Sequence, residues 1–483
     1  MRHPFLVLSC AAAAPTAHRG CDAKISARRL AGLGPRRPVE RTVTLTRRLK
    51  SALTRLGLIT LALGLPAAAH AQSSGAGAPA AASSTSAASA PAARPLGAAV
   101  PIGGGLKAEH DAVWQRLVQL AGGPGARFVV FGTASESPLE SARAAAAQLQ
   151  RRGAVAEVLA VSPLLKDRPI AEAVRDPALI AQVNGATGVF FTGGSQDRIT
   201  DHLAPGGRPT PLLDAIWGVY RAGGVVAGTS AGAAIMSETM FRDAPSLLRV
   251  LKGQLRVGQE IGAGLGFVGP GLFVDQHFLK RGRIGRSLPL MHAAGLKLGI
   301  GVEEDSAVLV RGGELEVIGG KAVLMDLGHA THDASLGAFN LAGVRISLLD
   351  RGDRYRLASA ELLPAPHKLA GQVLDPRLPG YKPYYTEAPY YTDFLGDNVL
   401  GTAMGLLIDA KYPAIEGLAF DPRPPAGEAQ ADLGFVFRLS KAADSHGWYS
   451  EAGGGEDYTV HRLLLDVRPV RLARPLMQPW TLR

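Results

Sequence analysis

A serine flanked by glycines lies where a short apolar run gives way to small helix-forming residues. The segment reads Gly228-Thr-Ser-Ala-Gly232, after the apolar residues 225–227. This is the G-x-S-x-G pattern of a nucleophile elbow, in which glycines allow a tight turn that exposes the serine hydroxyl. Free N–H groups of the helix that follows would favour a developing oxyanion. Ser230 is therefore the candidate nucleophile, although a glycine-rich turn with an incidental serine has the same sequence.

His277 is the candidate base, because a serine hydroxyl needs a base and an orienting acid before it attacks a carbonyl. It follows Asp275 and Gln276 at the end of an apolar run. A second apolar run, 298–302, ends in the three acids 303–305. The order serine, histidine, acid differs from the serine, acid, histidine order of α/β-hydrolases. An α/β-hydrolase esterase would require an acid that precedes the histidine.

Three arginines follow the histidine at short spacing: Arg281, Arg283 and Arg286. Guanidinium groups bind carboxylates with a bidentate geometry that lysine does not match. The cluster therefore indicates a substrate rich in carboxylates. The structural alternative is a solvated helix face.

The elements that must position these residues alternate between short apolar runs and helical patterns from about residue 99 to residue 311. The predicted strands in this part are 99–102, 127–131, 155–161, 188–192 and 225–227. Strands that are buried on both faces and separated by helices indicate an α/β fold with a doubly wound, mostly parallel sheet. Active sites of such sheets lie beyond the carboxyl ends of the strands. Gly194, Ser230 and Asp275 would all lie at such ends.

Three of the helices have a recognisable start. Ser137, Asp176 and Thr210 are each followed by proline, which is typical of an N-cap and the first helical position. Glu140 adds the pattern of a capping box to the first of them.

After residue 304, short apolar runs broken by Gly-Gly pairs predict a hairpin or meander that closes the domain. Residues 346–483 hold tyrosine and proline clusters with a few β-like runs, and we interpret them as a smaller, mixed, appended region of unknown role. The larger, first globular domain is accordingly predicted to span 99–345.

The charge of the chain is unevenly distributed. The formal net charge is +11, but residues 1–71 hold 12 of the 52 basic residues and two of the 41 acidic residues. The rest of the chain has 40 basic and 39 acidic residues, so a nucleic-acid partner loses its support. Both cysteines, Cys10 and Cys21, also lie in this leader. A mature chain without it would have no disulfide, thiolate nucleophile or cysteine metal site.

The leader has the pattern of an export signal. Basic residues between 47 and 55 precede the apolar run 56–65, which is too short for a membrane span and is followed by Ala69-His-Ala71. We expect cleavage near Ala71, an over-long start upstream, and a secreted or periplasmic protein. Residues 72–98 are nearly all Ala, Ser, Gly and Pro, which predicts a linker.

Four motifs in one order resemble the cyanophycinase family, serine peptidases of the peptidase E group on a class I glutamine-amidotransferase-like (flavodoxin-like) fold. They are Gly193-Gly-Ser-Gln196, Gly228-Thr-Ser-Ala-Gly232, Asp275-Gln-His277 with its three arginines, and Gly301-Val-Glu-Glu-Asp305. The resemblance covers about residues 99–330. Ser195 departs from it, because many family members carry an acid there.

The resemblance implies a role for each matching residue. Ser230 would be the nucleophile, His277 the general base and Glu304 the orienting acid, with Glu303 as the competing choice. Backbone N–H groups of Gly194 and Ala231 would form the oxyanion hole. The residues that would bind substrate are Gln196, Asp275, Gln276, Arg281, Arg283 and Arg286. No metal and no organic cofactor are implied.

The implied substrate is cyanophycin, multi-L-arginyl-poly-L-aspartate, which the family cleaves to β-Asp-Arg dipeptides. The export signal indicates the extracellular type, with cyanophycin or another Asp-rich peptide as partner, no nucleic acid, no membrane span after cleavage, and a homodimer left open. Two alternatives remain. One is an aspartyl or isoaspartyl dipeptidase on the same fold, and the other is a surface binding protein that has lost turnover.

Overall fold

Strands and helices alternate in the first part of the chain, as the apolar runs predict. We describe the fold from a computed structural model, which covers residues 97–243 and 246–480; the predicted leader, its export signal and nearly all of the linker lie outside them. The first elements are β1 (Ala98–Ile102), α1 (Asp111–Leu120), β2 (Arg127–Phe131), α2 (Pro138–Arg151), β3 (Val155–Leu159), α3 (Ile170–Ala173), α4 (Pro177–Asn184), β4 (Gly188–Phe191), α5 (Gln196–Leu203), α6 (Pro211–Arg221) and β5 (Val225–Thr229).

The predicted helix starts have different outcomes. Asp176 and Thr210 accept hydrogen bonds from the amides of Ala178 and Leu213, at 2.7 and 3.4 Å, so they are side-chain caps. Ser137 makes no such bond, and the predicted capping box is wrong there. The helix still begins at Pro138, because the proline ring presets a helical φ.

The next elements surround the predicted nucleophile and base. They are α7 (Ala231–Ala234), β6 (Thr239–Phe241), α8 (Leu247–Leu251), β7 (Ile261–Ala263), β8 (Leu272–Gln276), α9 (Ile284–Ala293) and β9 (Leu298–Val302).

The remaining elements are mostly strands. They are β10 (Ala307–Arg311), β11 (Glu314–Ile318), β12 (Ala322–Asp326), β13 (Leu341–Leu349), β14 (Arg354–Arg356), β15 (Glu361–Leu363), α10 (Pro366–Leu369), β16 (Gln372–Leu374), β17 (Tyr390–Tyr391), α11 (Val399–Ile408), β18 (Ala414–Ala419), β19 (Leu433–Ser450) and β20 (Asp457–Arg471).

The strands form two large sheets, where the sequence predicted one. The first sheet has the order β15-β14-β11-β10-β1-β5-β4-β2-β3. Its strands β1 to β5 are parallel, as predicted, and β10 and the strands beyond it are antiparallel additions. The second sheet has the order β17-β18-β19-β20-β13-β12-β9-β8, with β16 paired to β19.

The strand that contains Asp275 and the strand that precedes the acids 303–305 therefore do not continue the parallel sheet. β8 and β9 are parallel to each other at one edge of the second sheet, whose next strand, β12, is antiparallel to β9. The predicted meander is also divided, because β10 and β11 join the first sheet and β12 joins the second. The boundary drawn between residues 345 and 346 falls inside β13, and the chain beyond it contributes strands to both sheets.

Apolar packing joins these layers. Helices α1 and α2 cover one face of the first sheet through a core that includes Trp114 and Phe190. Another core contains Val226 of the first sheet and Val274 and Ile300 of the second, so the sheets are in contact there. Helices α9 and α11 pack on the other face of the second sheet. Across the described residues, no helix has the length and hydrophobicity that a membrane crossing requires.

Candidate active site

Ser230 stands at the tight turn between β5 and α7. Its backbone has φ 54° and ψ −110°, a conformation that costs a non-glycine residue about 1–3 kcal/mol. The turn is possible because two backbone segments approach each other at glycines. A Cβ atom at Gly228 would lie 2.4 Å from the carbonyl oxygen of Gly232, and one at Gly232 would lie 2.6 Å from the oxygen of Phe191. The strained serine is thereby held at the carboxyl end of β5, with its hydroxyl directed towards His277.

A continuous hydrogen-bond chain joins the three residues of the predicted triad. Ser230 Oγ lies 2.9 Å from His277 Nε2, and His277 Nδ1 lies 2.6 Å from Glu304 Oε1. The serine comes from the first sheet, whereas the histidine and the glutamate follow β8 and β9 of the second. The arrangement is that of a nucleophile, a base and an acid that orients the base.

A turn of three glycines after β1, residues 103–105, connects the two sheets at this point. The carbonyl oxygens of Gly103 and Gly104 accept hydrogen bonds from the amides of His277 and Asp305, at 2.7 and 2.8 Å. A Cβ atom at Gly104, which has φ 108°, would lie 2.2 Å from Cε1 of His277. This turn is not among the predicted site residues; three successive glycines at the end of a buried strand are the sequence signal that could have indicated it.

The two neighbouring glutamates have different partners. Glu304 contacts the histidine ring, as described above. The carboxylate of Glu303 accepts hydrogen bonds from the backbone amides of Leu279 and Lys280 instead, the latter at 3.0 Å. Burial raises the pKa of Glu303, although these backbone hydrogen bonds oppose the shift. Glu303 therefore braces the turn that follows His277, and Glu304 is the residue placed to orient the imidazole.

The buried imidazole of His277 is held in its neutral form near pH 7. Burial lowers its pKa below the ordinary 6.5, while the hydrogen bond to Glu304 opposes that shift and the charges of Arg281 and Arg283 add to it. A general base must be unprotonated to accept a proton from a hydroxyl. The environment of His277 favours that state.

The predicted oxyanion donors are the amides of Ala231, which directly follows the serine, and Gly194, in the turn after β4. Ala231 is the first residue of α7, where an amide has no partner within the helix. Gly194 has φ 138°, and a Cβ atom there would lie 1.9 Å from the oxygen of Ala134. Within residues 97–243 and 246–480, neither amide donates to a protein acceptor. The lack of a protein acceptor is what an oxyanion hole requires, and the assignment of these two amides stays a prediction.

The structure corrects three of the predicted substrate-binding residues. Asp275, Arg283 and Arg286 are only 2%, 8% and 8% exposed. Asp275 accepts hydrogen bonds from Arg283 Nη1 at 3.1 Å, Arg286 Nε at 2.8 Å and Ser287 Oγ at 2.8 Å. Burial raises the pKa of Asp275, but the charges of Arg286 and Arg283 outweigh it and lower the pKa to about 2. These groups satisfy one another in the interior and do not face a substrate.

The other three predicted substrate-binding residues, Gln196, Gln276 and Arg281, have separate environments. Gln196 Nε2 donates to the carbonyl oxygens of Phe241 and Arg242, at 2.8 and 3.1 Å, which braces the segment after β6. Gln276 is buried, and its Oε1 has no partner among the described residues. Arg281 is exposed and lines the same cavity as the serine and the histidine. Of the six predicted substrate-binding residues, Arg281 is the one on this cavity.

The cavity beside Ser230 has a volume of about 540 Å³. It is lined beyond the serine by Trp114 of α1 and by α2 between residues 141 and 148, and Leu106, Trp114 and Phe190 make this part of its wall apolar. No His, Cys, Asp and Glu cluster in the described part of the chain has the arrangement of a metal site. The polar side chains that the structure brings together at this cavity include those of Ser230, His277 and Arg281.

The sequence of residues 103–318 matches the family described as Peptidase family S51. The chain is also 32% identical over 258 residues to the cyanophycinase of Geminocystis herdmanii, covering 52% of this chain and 89% of that relative. The chain belongs to peptidase family S51. This S51 chain is 36% identical over 200 residues to the cyanophycinase of Trichormus variabilis, covering 39% of its own length and 63% of the relative's, less than two thirds.

A solved structure has a weaker similarity to this S51 chain. It is the peptidase from an acI-B1 Actinobacterium, at 23% identity and a TM-score of 0.37, covering 47% of this chain and 90% of that one. The glutamine-amidotransferase-like fold implied by the family resemblance stays a prediction, and what is observed is an α/β protein with two mixed sheets.

Proposed function

We propose that this S51 protein is a serine peptidase that hydrolyses cyanophycin to β-Asp-Arg dipeptides. The observation that carries the proposal is the hydrogen-bond chain from Ser230 through His277 to Glu304. The substrate is supported by the relatives, since those at 32% and 36% identity are cyanophycinases. The exposed Arg281 beside the serine is compatible with a substrate that carries carboxylates.

The first half of the proposed reaction forms an acyl-enzyme. Ser230 Oγ attacks the scissile carbonyl carbon while its proton passes to His277 Nε2. Glu304 accepts the hydrogen bond from Nδ1 and stabilises the imidazolium that forms. The amides of Gly194 and Ala231 donate to the oxyanion, and each such donor contributes about 3–4 kcal/mol to lowering the barrier.

The second half releases the products. His277 returns its proton to the leaving amine as the carbon–nitrogen bond breaks, which leaves the substrate's acyl group on Ser230 as an ester. The neutral imidazole then takes a proton from water, and the resulting nucleophile hydrolyses the ester. The buried position of His277 keeps the ring available as a base at each turnover.

Export of the protein is part of the same proposal. It rests on the sequence pattern between residues 47 and 71, and a protein outside the cell would meet the storage polymer of other cells. N-terminal sequencing of protein recovered outside the cell tests whether cleavage follows Ala71.

The decisive experiment compares the wild type with Ser230→Ala on purified, insoluble cyanophycin, with mass analysis of the soluble products. We expect the wild type to release β-Asp-Arg, and the variant to lose activity on the order of 10⁶-fold with an unchanged unfolding transition. Ser195→Ala is the matched control, because that serine is near the site and its side chain caps no helix. Dipeptide release by Ser230→Ala would refute the mechanism.

The same assay separates the alternatives. A wild type that leaves the polymer intact but cleaves short aspartyl or isoaspartyl peptides is a dipeptidase. A wild type that sediments with the polymer and cleaves neither substrate is a binding protein.

A further inference from the structure

Thr192 and Thr229 lie side by side at the carboxyl ends of β4 and β5, on the face of the first sheet that lines the cavity beside Ser230. On this face β4 and β5 present Phe190 and Ala227, which are buried in the apolar core under α1 and α2. The next side chains on the same face belong to Thr192 and Thr229, because side chains alternate along a strand. The pairing of Phe191 with Gly228 aligns the two threonines one residue later on neighbouring strands. Polar side chains thus replace apolar ones where the cavity begins.

The hydroxyls of both threonines are buried, and neither has a partner among the described residues. Both residues line the cavity that also contains Ser230 and Arg281. Other polar groups of the wall are already engaged: Ser141 Oγ lies 2.5 Å from Ser135 Oγ, and Gln148 Oε1 accepts from Arg152 at 2.9 Å. A buried hydroxyl without a partner is unfavourable, so the pair is suited to a group that enters from the cavity.

The charge of the cavity decides what that group is. Its lining contains no Asp and no Glu among the described residues, and Arg281 supplies a full positive charge. A guanidinium group of the substrate would have no carboxylate to pair with here. A carboxylate would be attracted by Arg281 and would accept the hydroxyl hydrogens, and hydrogen bonds to a charged acceptor are the stronger kind.

We propose that Thr192 and Thr229 form a carboxylate subsite beside Ser230. Their hydroxyls donate to a free carboxylate of the substrate, with Arg281 supplying the long-range attraction. This subsite rests on the proposed function in one respect, which is that the bound carboxylate belongs to a cyanophycin-derived peptide. The two residues are specificity determinants, since they fix which group of the peptide lies next to the nucleophile.

The test follows Ser230 with a reactive fluorophosphonate, so it does not depend on cyanophycin turnover. The rate of labelling is measured at increasing concentrations of β-Asp-Arg and of the same dipeptide with its carboxylates amidated. Thr192→Val and Thr229→Val keep the shape of the side chain and remove the donor, whereas the corresponding serine variants keep the donor. Thr331→Val, at an exposed position away from the site, is the control.

We expect each valine variant to need about ten times more β-Asp-Arg for half-maximal protection, and the serine variants and the control to match the wild type. The amidated dipeptide should protect all variants equally weakly. If valine is not accommodated, alanine at the same positions gives the same comparison. Unchanged protection by β-Asp-Arg, or an equal loss with the amidated form, would overturn the subsite. Normal protection in a wild type that does not cleave cyanophycin would instead refute the proposed function alone.

Discussion

The two sheets hold their halves of the active site by different physical means. The first sheet fixes Ser230 by close backbone packing at Gly228 and Gly232. The second sheet fixes the base by charge: Glu304 contacts His277, Glu303 holds the turn after it, and the buried Asp275 cluster lies directly before it. The nucleophile therefore depends on shape, whereas the base depends on ionised groups in addition to its packing against the glycine turn at Gly104. Changes of charge should affect the second sheet's half of the site selectively.

The largest expected effect of this kind comes from Glu304→Gln. Glutamine keeps the size of the side chain but no longer stabilises the imidazolium or fixes the ring's tautomer, so we expect kcat to fall about 10³–10⁴-fold. Glu303→Gln is the matched control. Its side-chain oxygen can still accept from the amides of Leu279 and Lys280, so we expect a loss below about tenfold. Steady-state kinetics measures both, and the reverse ranking would exchange the roles of the two glutamates.

An intermediate effect, on stability, is expected from Asp275→Asn. The substitution leaves the buried guanidinium groups of Arg283 and Arg286 without a counter-charge, and breaking such a pair costs about 3–5 kcal/mol. Asp201→Asn removes the carboxylate from an exposed pair with Arg242, for which we expect about 0–1 kcal/mol. Denaturant unfolding gives both free energies.

Equal losses of unfolding free energy in the two variants would contradict the structural role of the Asp275 cluster.

The pH dependence of the wild type's stability offers a second check of that cluster. Because the pKa of Asp275 is lowered to about 2, its contribution is fully present above the ordinary value of 3.8 and is lost as the pH falls through about 2. In an acid titration, the wild type's free energy of unfolding should therefore continue to fall as the pH is lowered from 3.8 to about 2.

The smallest expected effect concerns the pH profile. His277 must be neutral to act, and its lowered pKa places the acid limb of kcat/KM below pH 6.5. Arg281→Gln removes one positive charge that lowers this pKa, while burial of the ring is unchanged. We expect the acid limb to move upward by less than about one pH unit. Arg281→Lys keeps the charge and should leave the limb in place; a downward shift in Arg281→Gln would contradict the electrostatic account.

Local sequence patterns predicted the first part of the fold well. The strand from Arg127 to Phe131 has the predicted bounds, and the five parallel strands were all anticipated. Periodic burial and proline at the first helical turn are properties of adjacent residues, so the sequence displays them directly. The predicted side-chain cap at Ser137 is wrong, because the conformation of the loop before the helix determines which group a serine hydroxyl can reach.

The burial of the three arginines after His277 could not be predicted from local sequence. Arg281, Arg283 and Arg286 lie within six positions and have the same chemistry, yet the first faces the cavity and the other two are buried against Asp275. Nothing in their spacing distinguishes these environments. The difference arises because the start of α9 packs against the end of β8, and that packing involves the whole second sheet.

Local sequence patterns were enough to name the reactive residues and their order along the chain: Ser230 in a G-x-S-x-G turn, His277 after it, and an acid after that. Glycine spacing and apolar periodicity are local, and they are sufficient for these inferences. Three further results required the folded molecule: the base and the acid belong to a second sheet, Glu304 and not Glu303 contacts the histidine, and one arginine of three faces the cavity. Those outcomes depend on pairing between distant strands and on side-chain direction, which are set when the two sheets pack together.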